Sequence, residues 1–237
     1  MKHIAARMSG VSNVAEIQQI EGGRDAEVFK VTVEGGQVYA VKLLPANRVH
    51  KCEDDLRIMA YAEAHGIPIP KVLSFTARDE VCTVMEWIEG RTLLAALQQC
   101  PSDAEKLGYQ FGQMHANIHD ICVPPHFFTE DTWLTEVERE RYASGDERVL
   151  LHLDYHPLNV MISGGEIIAV LDWTNASVGA RCFDIARTRS IMEEKVVELS
   201  LLDGEVSKKF LDGYRETIGE WEIPAEVQRW ARLRLHG

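Results

Sequence analysis

The periodicity of the apolar residues changes once along this chain of 237 residues, close to positions 89–90. From residue 16 to about residue 86, apolar and polar residues mostly alternate, as they do in half-buried strands. The segment VFKVTVEGGQVYAVKLL (28–44) alternates on both sides of a Glu-Gly-Gly sequence at 34–36, which predicts a β-hairpin. Because the apolar spacing becomes helical beyond this point, we expect a small antiparallel sheet followed by a mainly helical part.

Two segments carry the clearest helical spacing. KCEDDLRIMAYAEAHG (51–66) is predicted to be the one helix of the first part, with Gly66 as its C-cap. PSDAEKLGYQFGQMHANIH (101–119) places apolar residues on one face and begins with a capping-box pattern from Ser102 to Glu105. His115 lies on that apolar face and is interpreted as a core histidine rather than a ligand.

Composition limits the class of protein. The five cysteines are odd in number, widely spaced and without a C-x-x-C pair, which argues against a disulfide framework and a zinc site. No signal-peptide core and no apolar run of about 20 residues is found, so a cytoplasmic protein without membrane segments is expected. The formal charge of -12 disfavours nonspecific binding to nucleic acid or to an anionic membrane.

The segment LHLDYHPLNV (151–160) places polar side chains inside an otherwise apolar run. Buried polar groups cost free energy, so this pattern indicates a functional site. The spacing His152-x-Asp154-x-x-x-x-Asn159, followed after a hairpin by Asp172, matches the catalytic loop and metal ligands of kinases. Asp154 would accept the proton of an attacking hydroxyl, and the other two would bind Mg²⁺ on ATP. Taken singly, these residues could instead form only turn hydrogen bonds around Pro157.

Phosphate binding requires a cation on the small sheet, and the segment VYAVK supplies Lys42 on its third predicted strand. The position, just before the only helix of the first part, is the one that the kinase pattern requires. Alone, this lysine could be a solvated strand residue. Gly22 and Gly23 in EGGRDAEVF form either a sparse phosphate loop or a plain β-turn.

These residues together resemble the aminoglycoside phosphotransferase and choline kinase-like group of small-molecule kinases. VMEWIEGRTL (84–93) is similar to the hinge of that group, LGYQFGQMH (107–115) to a helix ending in Leu-His, and GARCFDIA (179–186) to its G-x-x-x-x-D segment. The resemblance implies an α+β, two-lobed protein kinase-like fold. Its lobes would be a nucleotide-binding lobe at 1–86, a hinge at 87–90 and a helical lobe with the acceptor site at 91–237.

The resemblance also implies roles for further residues. Lys42 would pair with a carboxylate of the following helix, either Asp55 or Glu53, and the adenine would bind to backbone near Glu86 and Ile88. Three residues would support the catalytic loop, namely His152 by hydrogen bonding, Asp184 by bracing the backbone, and His156 by lining the phosphates or capping the loop. Leu153 stands where the group usually has glycine, which is expected to affect packing more than chemistry.

The expected function is Mg²⁺-dependent transfer of the γ-phosphoryl group of ATP or GTP to a small-molecule hydroxyl, on an aminoglycoside-like compound, an amino alcohol or a sugar. His156 replaces the lysine of protein kinases, and only 11 residues separate Asp172 from Asp184, which leaves little room for a peptide-docking loop. The alternatives are a nucleotide-binding protein without turnover and an atypical protein kinase. An acidic segment either lines a pocket for a cationic acceptor or is a solvated helix face: Glu130, Asp131, Glu136, Glu138 and Glu140. The oligomeric state stays open.

Overall fold

The computed structural model describes residues 7–8, 10–20, 26–124, 127, 133–141, 148–196, 201–219 and 222–235. The chain divides into two compact units. The first consists of Met1–Arg57 and Pro70–Glu89, and the second of Ile58–Ile69 and Gly90–Gly237. The assignment of nucleotide binding to 1–86 and of the acceptor site to 91–237 stays a prediction.

The first unit contains a five-stranded antiparallel sheet in the order β1-β2-β3-β5-β4. Its strands are β1 (Val14–Ile20), β2 (Glu27–Val33), β3 (Val38–Pro45), β4 (Val72–Ala77) and β5 (Glu80–Glu86). Alternate residues of the inner strands are buried, for example Phe29 and Val31 on β2 and Val41 and Leu43 on β3. β2 and β3 pair in antiparallel register across a turn in which Gly36 has φ 81°. The predicted hairpin is therefore confirmed.

Helix α1 (Val49–Ala64) follows a short 3₁₀ turn at Ala46–Arg48. It ends as predicted at Gly66, which has φ 87° and donates its N–H to Glu63 O at 2.9 Å. The N–H of Ile67 donates to Ala62 O at 3.1 Å, which completes a Schellman motif. The boundary between the two units falls inside this helix, between Arg57 and Ile58.

The second unit is mainly helical. Its helices are α2 (Leu93–Gln99), α3 (Ala104–His119), α4 (Glu136–Arg141), α5 (Cys182–Ser190), α6 (Gly204–Ile218) and α7 (Ala225–Leu233), with a π-helix at Ile191–Val196. Two small antiparallel sheets accompany them, β6-β8-β9 and β10-β7. Their strands are β6 (Arg91–Thr92), β7 (Val149–Leu151), β8 (Val160–Ser163), β9 (Glu166–Val170) and β10 (Ser177–Gly179). The predicted order of an antiparallel sheet and then a mainly helical part is confirmed.

The predicted capping box at Ser102 is wrong. A 3₁₀ turn occupies Pro101–Asp103, so the N-cap of α3 is Asp103, one residue later than predicted, and it makes no side-chain capping bond. The Ser102 hydroxyl lies 3.4 Å from the carboxylate of Asp103 instead of at the helix end. Proline at the start of the turn explains the difference, because its fixed φ favours a tight first turn.

Helices α3 and α6 cross at very short range because glycines occupy the contact. A Cβ atom added at Gly108 would overlap the carbonyl of Phe210, and one added at Gly213 would overlap the carbonyl of Glu105. This crossing fixes α3, whose last turns carry His115 and His119. Among the described residues, no helix is long and apolar enough to cross a membrane.

Candidate active site

The loop between β7 and β8 is held by a buried carboxylate. Asp184, in the first turn of α5, accepts the N–H of His152 at 2.7 Å on Oδ2 and the N–H of Leu153 at 2.8 Å on Oδ1. Both oxygens of this fully buried group therefore bind backbone that leads directly to Asp154. Carboxylates that accept backbone N–H groups form strong hydrogen bonds, so the start of the loop is rigidly located.

Two histidines of α3 surround the same carboxylate. His115 Nε2 and His119 Nε2 each lie 3.1 Å from Asp184 Oδ2, and all three side chains are inaccessible to solvent. Burial lowers the pKa of His115 to about 4, so its imidazole is neutral at neutral pH. Its Nδ1 lies 2.8 Å from Tyr214 Oη, so the imidazole is held between this hydroxyl and the Asp184 carboxylate. Burial would raise the pKa of Asp184, but the contacts with His115 and His119 hold it well below its ordinary value.

The atoms of His115, His119 and Asp184 are also close enough together to hold a metal ion, within 4.8 Å of one another. The hydrogen bonds argue for a different role. Both oxygens of the carboxylate already accept backbone N–H groups, and His119 Nε2 forms a further hydrogen bond of 3.1 Å with Oδ2. We therefore interpret the cluster as a polar brace for the loop. The participation of His119 escaped the sequence analysis, although its i,i+4 spacing from His115 places both on one helix face.

His152 connects the loop to the strand that leads to Asp172. Its Nε2 donates to Leu171 O at 2.9 Å, and its Nδ1 lies 3.3 Å from the N–H of Asp154. The ring is fully buried, and burial lowers the pKa of His152, so the neutral tautomer with a proton on Nε2 satisfies both contacts. One imidazole thus fixes the spacing between the two segments that carry the predicted base and a predicted metal ligand.

Two residues of the site have left-handed backbone. Leu153 has φ 59° and Asp172 has φ 56°, where L-amino acids are strained by about 1–2 kcal/mol. The expectation that leucine at 153 would affect packing rather than chemistry missed this backbone requirement, which glycine would meet without strain. Strained non-glycine residues persist only where the surroundings hold them, and they concentrate at functional sites.

Asp154 and Asn159 contact one another directly. Asn159 Nδ2 lies 3.0 Å from Asp154 O and 3.3 Å from Asp154 Oδ2. His156 Nε2 lies 3.6 Å from the same carboxylate oxygen, and its Nδ1 is 3.3 Å from the N–H of Leu158. His156 O also accepts the N–H of Asn159 at 2.8 Å. Of the two roles left open for His156, these contacts favour capping of the loop.

The charge state of Asp154 follows from its neighbours. Burial raises the pKa of this carboxyl, but His156, His152 and Arg187 more than offset that effect, and the net pKa lies below its ordinary value. Asp154 is therefore ionised at neutral pH. It is partly accessible to solvent, unlike Asp184, so a hydroxyl-bearing molecule can reach it.

Asp172 lies two residues after the end of β9, beside the loop. The N–H of Leu171 donates to Asn159 O at 2.8 Å, which brings Asp172 next to Asn159. The Thr174 hydroxyl donates to Asp172 Oδ1 at 2.7 Å and orients the carboxylate. Because the Asn159 amide nitrogen is committed to Asp154, its oxygen faces elsewhere. A carboxylate and an amide oxygen are the hard donors that Mg²⁺ and Ca²⁺ prefer, so the residues present fit such an ion.

In the first unit, Lys42 lies on β3, with Thr83 of β5 as its partner in the register. Thr83 Oγ1 is 3.4 Å from Cys52 Sγ on α1, so this stretch of the sheet packs against the helix. Burial raises the pKa of the Cys52 thiol, and the charges of Asp55, Lys42 and Glu53 also act on it. Asp55 lies three residues after Cys52, on the same helix face.

Glu53 points in a different direction. Its side chain is 55% exposed and lies 3.5 Å from the imidazole of His50. Of the two carboxylates considered as partners of Lys42, Asp55 is therefore on the sheet-facing side of α1, whereas Glu53 is on the solvent side. Gly22 and Gly23 lie outside the described residues.

The end of β5 carries the residues that are predicted to bind the base of the nucleotide, Glu86 and, just beyond the strand, Ile88. The N–H of Glu86 donates to Lys71 O at 2.9 Å, and its carboxylate accepts the N–H of Lys71 at 3.0 Å. The N–H of Glu86 is therefore already engaged within the sheet and does not face a nucleotide base. In the described part of the chain, no backbone hydrogen bond involves Ile88, whose N–H and C=O could therefore bind one.

The two members of the acidic segment whose side chains the structure describes, Glu136 and Glu138, have different surroundings. Glu138 Oε2 accepts the backbone N–H of Thr135 at 2.8 Å at the start of α4, and Glu138 Oε1 lies 3.6 Å from Arg234. Glu136 is exposed in the first turn of α4, as expected for a solvated helix face. Glu130, Asp131 and the side chain of Glu140 lie outside the described residues.

Comparison with known proteins decides the family. The model of a family described as a phosphotransferase enzyme family matches residues 16–144 and 128–227. The chain belongs to this family. The predicted resemblance is confirmed, and the chain is a small-molecule phosphotransferase. A search of curated proteins finds no match.

Solved structures show the same fold as this phosphotransferase. An amicoumacin kinase in complex with AMP-PNP, Ca²⁺ and Ami is 19% identical, with a TM-score of 0.65, over 98% of this chain and 85% of that one. An aminoglycoside-3'-phosphotransferase of type VIII is 17% identical, with a TM-score of 0.72, over 98% and 96%. An ethanolamine kinase from Plasmodium vivax is 16% identical, with a TM-score of 0.61, over 97% and 73%. The predicted α+β, protein kinase-like fold is confirmed.

Proposed function

We propose that this phosphotransferase transfers the γ-phosphoryl group of ATP or GTP to a hydroxyl of a small molecule, such as an aminoglycoside-like compound, an amino alcohol or a sugar. The observation that carries the proposal is the cluster formed by Asp154, Asn159 and the segment that leads to Asp172. Family membership supports the reaction class, because these residues occupy the spacing that the kinase pattern requires.

Asp154 is the proposed catalytic base. Its carboxylate is ionised and partly exposed, and contacts with Asn159 and His156 limit its orientation. An acceptor hydroxyl within hydrogen-bond distance would be aligned toward the phosphorus. It would transfer its proton to Asp154 as the new P–O bond forms and the bond from the γ-phosphorus to the bridging oxygen breaks, which releases ADP or GDP. Because phosphoryl transfer depends mainly on positioning, a weakly basic carboxylate is sufficient for this step.

Asn159 and Asp172 are the proposed ligands of a divalent cation, with Mg²⁺ as the expected ion. When bound, such an ion neutralises negative charge on the β- and γ-phosphates. The chain contributes two oriented oxygen ligands: the hydrogen bond to Asp154 turns the Asn159 amide, and Thr174 fixes the Asp172 carboxylate. The amicoumacin kinase contains AMP-PNP and Ca²⁺, which supports a divalent cation and a nucleotide in this family.

The nucleotide-binding role falls to residues of the first unit. Lys42 would bind the α- and β-phosphates, with Asp55 orienting its ammonium group, and Gly22 and Gly23 would approach the phosphates through their backbone. The carbonyl of Glu86 and the backbone of Ile88 would hydrogen-bond the base. The choice between ATP and GTP depends on the donors and acceptors of that base.

The acceptor class is supported by the range of the structural relatives. They include an ethanolamine kinase, a macrolide 2'-phosphotransferase and aminoglycoside phosphotransferases. Each of these relatives is a kinase of a small molecule, which supports a small-molecule acceptor.

The test is a screen for ADP and GDP release with Mg·ATP and Mg·GTP over aminoglycosides, macrolides, choline, ethanolamine, homoserine and sugars. We expect release that depends on one acceptor class and that falls about 10²- to 10⁴-fold in Asp154→Ala, as for loss of a general base. Asp120→Ala, which removes an exposed aspartate of the same unit, is the matched control and should keep full activity.

Three outcomes would contradict the proposal. Acceptor-dependent turnover that survives Asp154→Ala would remove Asp154 as the base. Nucleotide binding without release in the presence of any acceptor would indicate a binding protein without turnover. Transfer to a protein substrate alone would indicate an atypical protein kinase.

A further inference from the structure

Arg187 is a charged side chain that is almost completely buried, with 5% of its surface exposed. Charged residues are rarely buried to this extent unless they are paired. It lies on α5, three residues after Asp184, so both side chains leave the helix on the same face and reach the catalytic loop. The sequence analysis assigned no role to this arginine.

The guanidinium group is held from several sides. Its Nε donates to Leu153 O at 3.2 Å, and its Nη1 lies 3.4 Å from Ala231 O on α7. Its Nη2 is 3.7 Å from Asp154 Oδ1, and its Cζ lies 5.0 Å from the centre of the Trp133 ring. These partners come from the loop, from α7 and from the segment before α4, so the planar group has one orientation.

The contacts of Arg187 complement those on the other side of Asp154. Asn159 and His156 face the Oδ2 atom of the base, whereas Arg187 faces Oδ1. The carboxylate is thus located between two sets of neighbours. At 3.7 Å the Arg187 contact is an ion pair rather than a hydrogen bond, so it attracts the carboxylate and leaves Oδ1 able to accept a hydrogen bond.

The hydrogen bond from Arg187 to the Leu153 carbonyl also orients the backbone next to Asp154. Leu153 has a left-handed φ, and its carbonyl belongs to the peptide group that joins it to Asp154. A donor on this carbonyl holds the peptide group in place and therefore sets the direction in which the Asp154 side chain leaves the loop. Asp184 accepts the N–H groups of His152 and Leu153, and Arg187 donates to the carbonyl of Leu153. One face of α5 therefore fixes three successive peptide groups.

We propose that Arg187 is a positioning residue for the phosphoryl-transfer reaction, which holds Asp154 through the Leu153 carbonyl and the Asp154 carboxylate. The proposal rests on the proposed function, since it assigns Asp154 as the base. The forked guanidinium is required because three partners lie on different sides of it. A lysine ammonium carries the same charge at one point and cannot reach all three.

Arg187→Met and Arg187→Lys test this role, with Arg189→Met as the matched control. Arg189 lies two residues further along α5, where its side chain is partly exposed and pairs with Glu193 at 3.5 Å. The measurements are kcat and KM for nucleotide and for the best acceptor of the screen, corrected for the folded fraction found by thermal denaturation. A crystal structure of each variant gives the position of the Asp154 carboxylate independently of turnover.

We expect Arg187→Met to lower kcat by about 10²-fold, as for a base displaced by about 1 Å, with the nucleotide KM changed by less than about twofold. Arg187→Lys should stay at least about fivefold below the wild type, because it restores charge without the fork. Arg189→Met should match the wild type. In the crystals, the Asp154 carboxylate should move in both Arg187 variants.

The proposal is overturned if kcat per folded enzyme of either Arg187 variant stays within about twofold of the wild type. It is also overturned if the Asp154 carboxylate keeps its position in the Arg187→Met crystal, a result that needs no turnover. Absence of turnover in the wild type with every acceptor would contradict the proposed function instead. Arg187→Lys keeps the test valid if Arg187→Met does not fold.

Discussion

The predicted catalytic loop in the second unit and the predicted phosphate-binding residues in the first unit are positioned by different means. Buried charged and polar side chains hold the loop, above all Asp184, His152 and Arg187. Lys42 instead takes its place from the register of a β-ladder between β2 and β5. Buried polar contacts cost several kcal/mol when one partner is lost, whereas a backbone ladder survives most side-chain changes. The two regions should therefore respond very differently to substitution.

The largest expected effect is that of Asp184→Ala. It leaves the N–H groups of His152 and Leu153 without an acceptor in a fully buried place, which should lower the free energy of unfolding by about 3–5 kcal/mol. Glu86→Ala removes a carboxylate that also accepts a backbone N–H, but at an exposed contact, and should cost less than about 1 kcal/mol. Urea denaturation measures both. Equal losses would show that burial does not distinguish the two regions.

Acidification should give a smaller loss that also originates in the second unit. The pKa of His115 falls from an ordinary value of 6.5 to about 4 in the folded protein. Between these values only the unfolded chain binds the proton, so stability is lost as the pH falls below 6.5, by about 1.4 kcal/mol per pH unit. At pH 5 the loss should reach about 2 kcal/mol. Burial lowers the pKa of His152 too, which adds a loss of the same sign.

Single-histidine variants separate the contribution of His115 to this pH dependence from those of other histidines. Unfolding curves of His115→Gln between neutral pH and pH of about 5 should depend less on pH than those of the wild type. His65→Gln, which replaces an exposed histidine at the end of α1, should leave the dependence unchanged. An unchanged slope in His115→Gln would show that folding does not lower the pKa of His115.

A still smaller effect is expected in the first unit when Asp55, the proposed partner of Lys42, is replaced. Asp55→Ala should weaken nucleotide binding about tenfold, or about 1.4 kcal/mol, because the lysine loses its orienting carboxylate. Calorimetric titration with ATP measures the change. The free energy of unfolding should change by less than about 0.5 kcal/mol, in line with a partly exposed site.

The smallest effect should be that of Glu53→Ala. This exposed side chain pairs with His50 on the solvent side of α1, so both nucleotide affinity and stability should stay close to wild type. If Glu53→Ala weakens ATP binding more than Asp55→Ala does, then Glu53 is the partner of Lys42 and the assignment made from the helix face is wrong.

Local patterns in the sequence predicted the elements whose contacts are near in the chain. The hairpin at 28–44 and the end of α1 at Gly66 depend on turn residues and short-range hydrogen bonds, and both are confirmed. The capping box at Ser102 was wrong because Pro101 allowed a competing 3₁₀ turn. Each of these local structures depends on contacts between residues that are close in sequence.

The supporting contacts of the loop were harder to predict because their partners are distant in sequence. His119 and Arg187 meet Asp184 and Asp154 only after the chain has folded, and nothing in their immediate neighbours distinguishes them from ordinary helix residues. The strained backbone at Leu153 escaped notice for a similar reason, since an apolar residue inside an apolar run suggests packing alone. The motif identified which residues to consider, and the tertiary contacts showed how they are held.

The boundary inside α1 affects how this protein can be synthesised and divided. Residues 58–69 belong to the second unit but precede Pro70–Glu89 of the first, so neither unit is continuous in sequence. Ile58, Ala62 and Ile67 pack in a hydrophobic core whose other members are all at Leu93 or later. During translation these residues leave the ribosome long before that core exists. Fragments cut near residue 89 would expose them, which favours aggregation over independent folding.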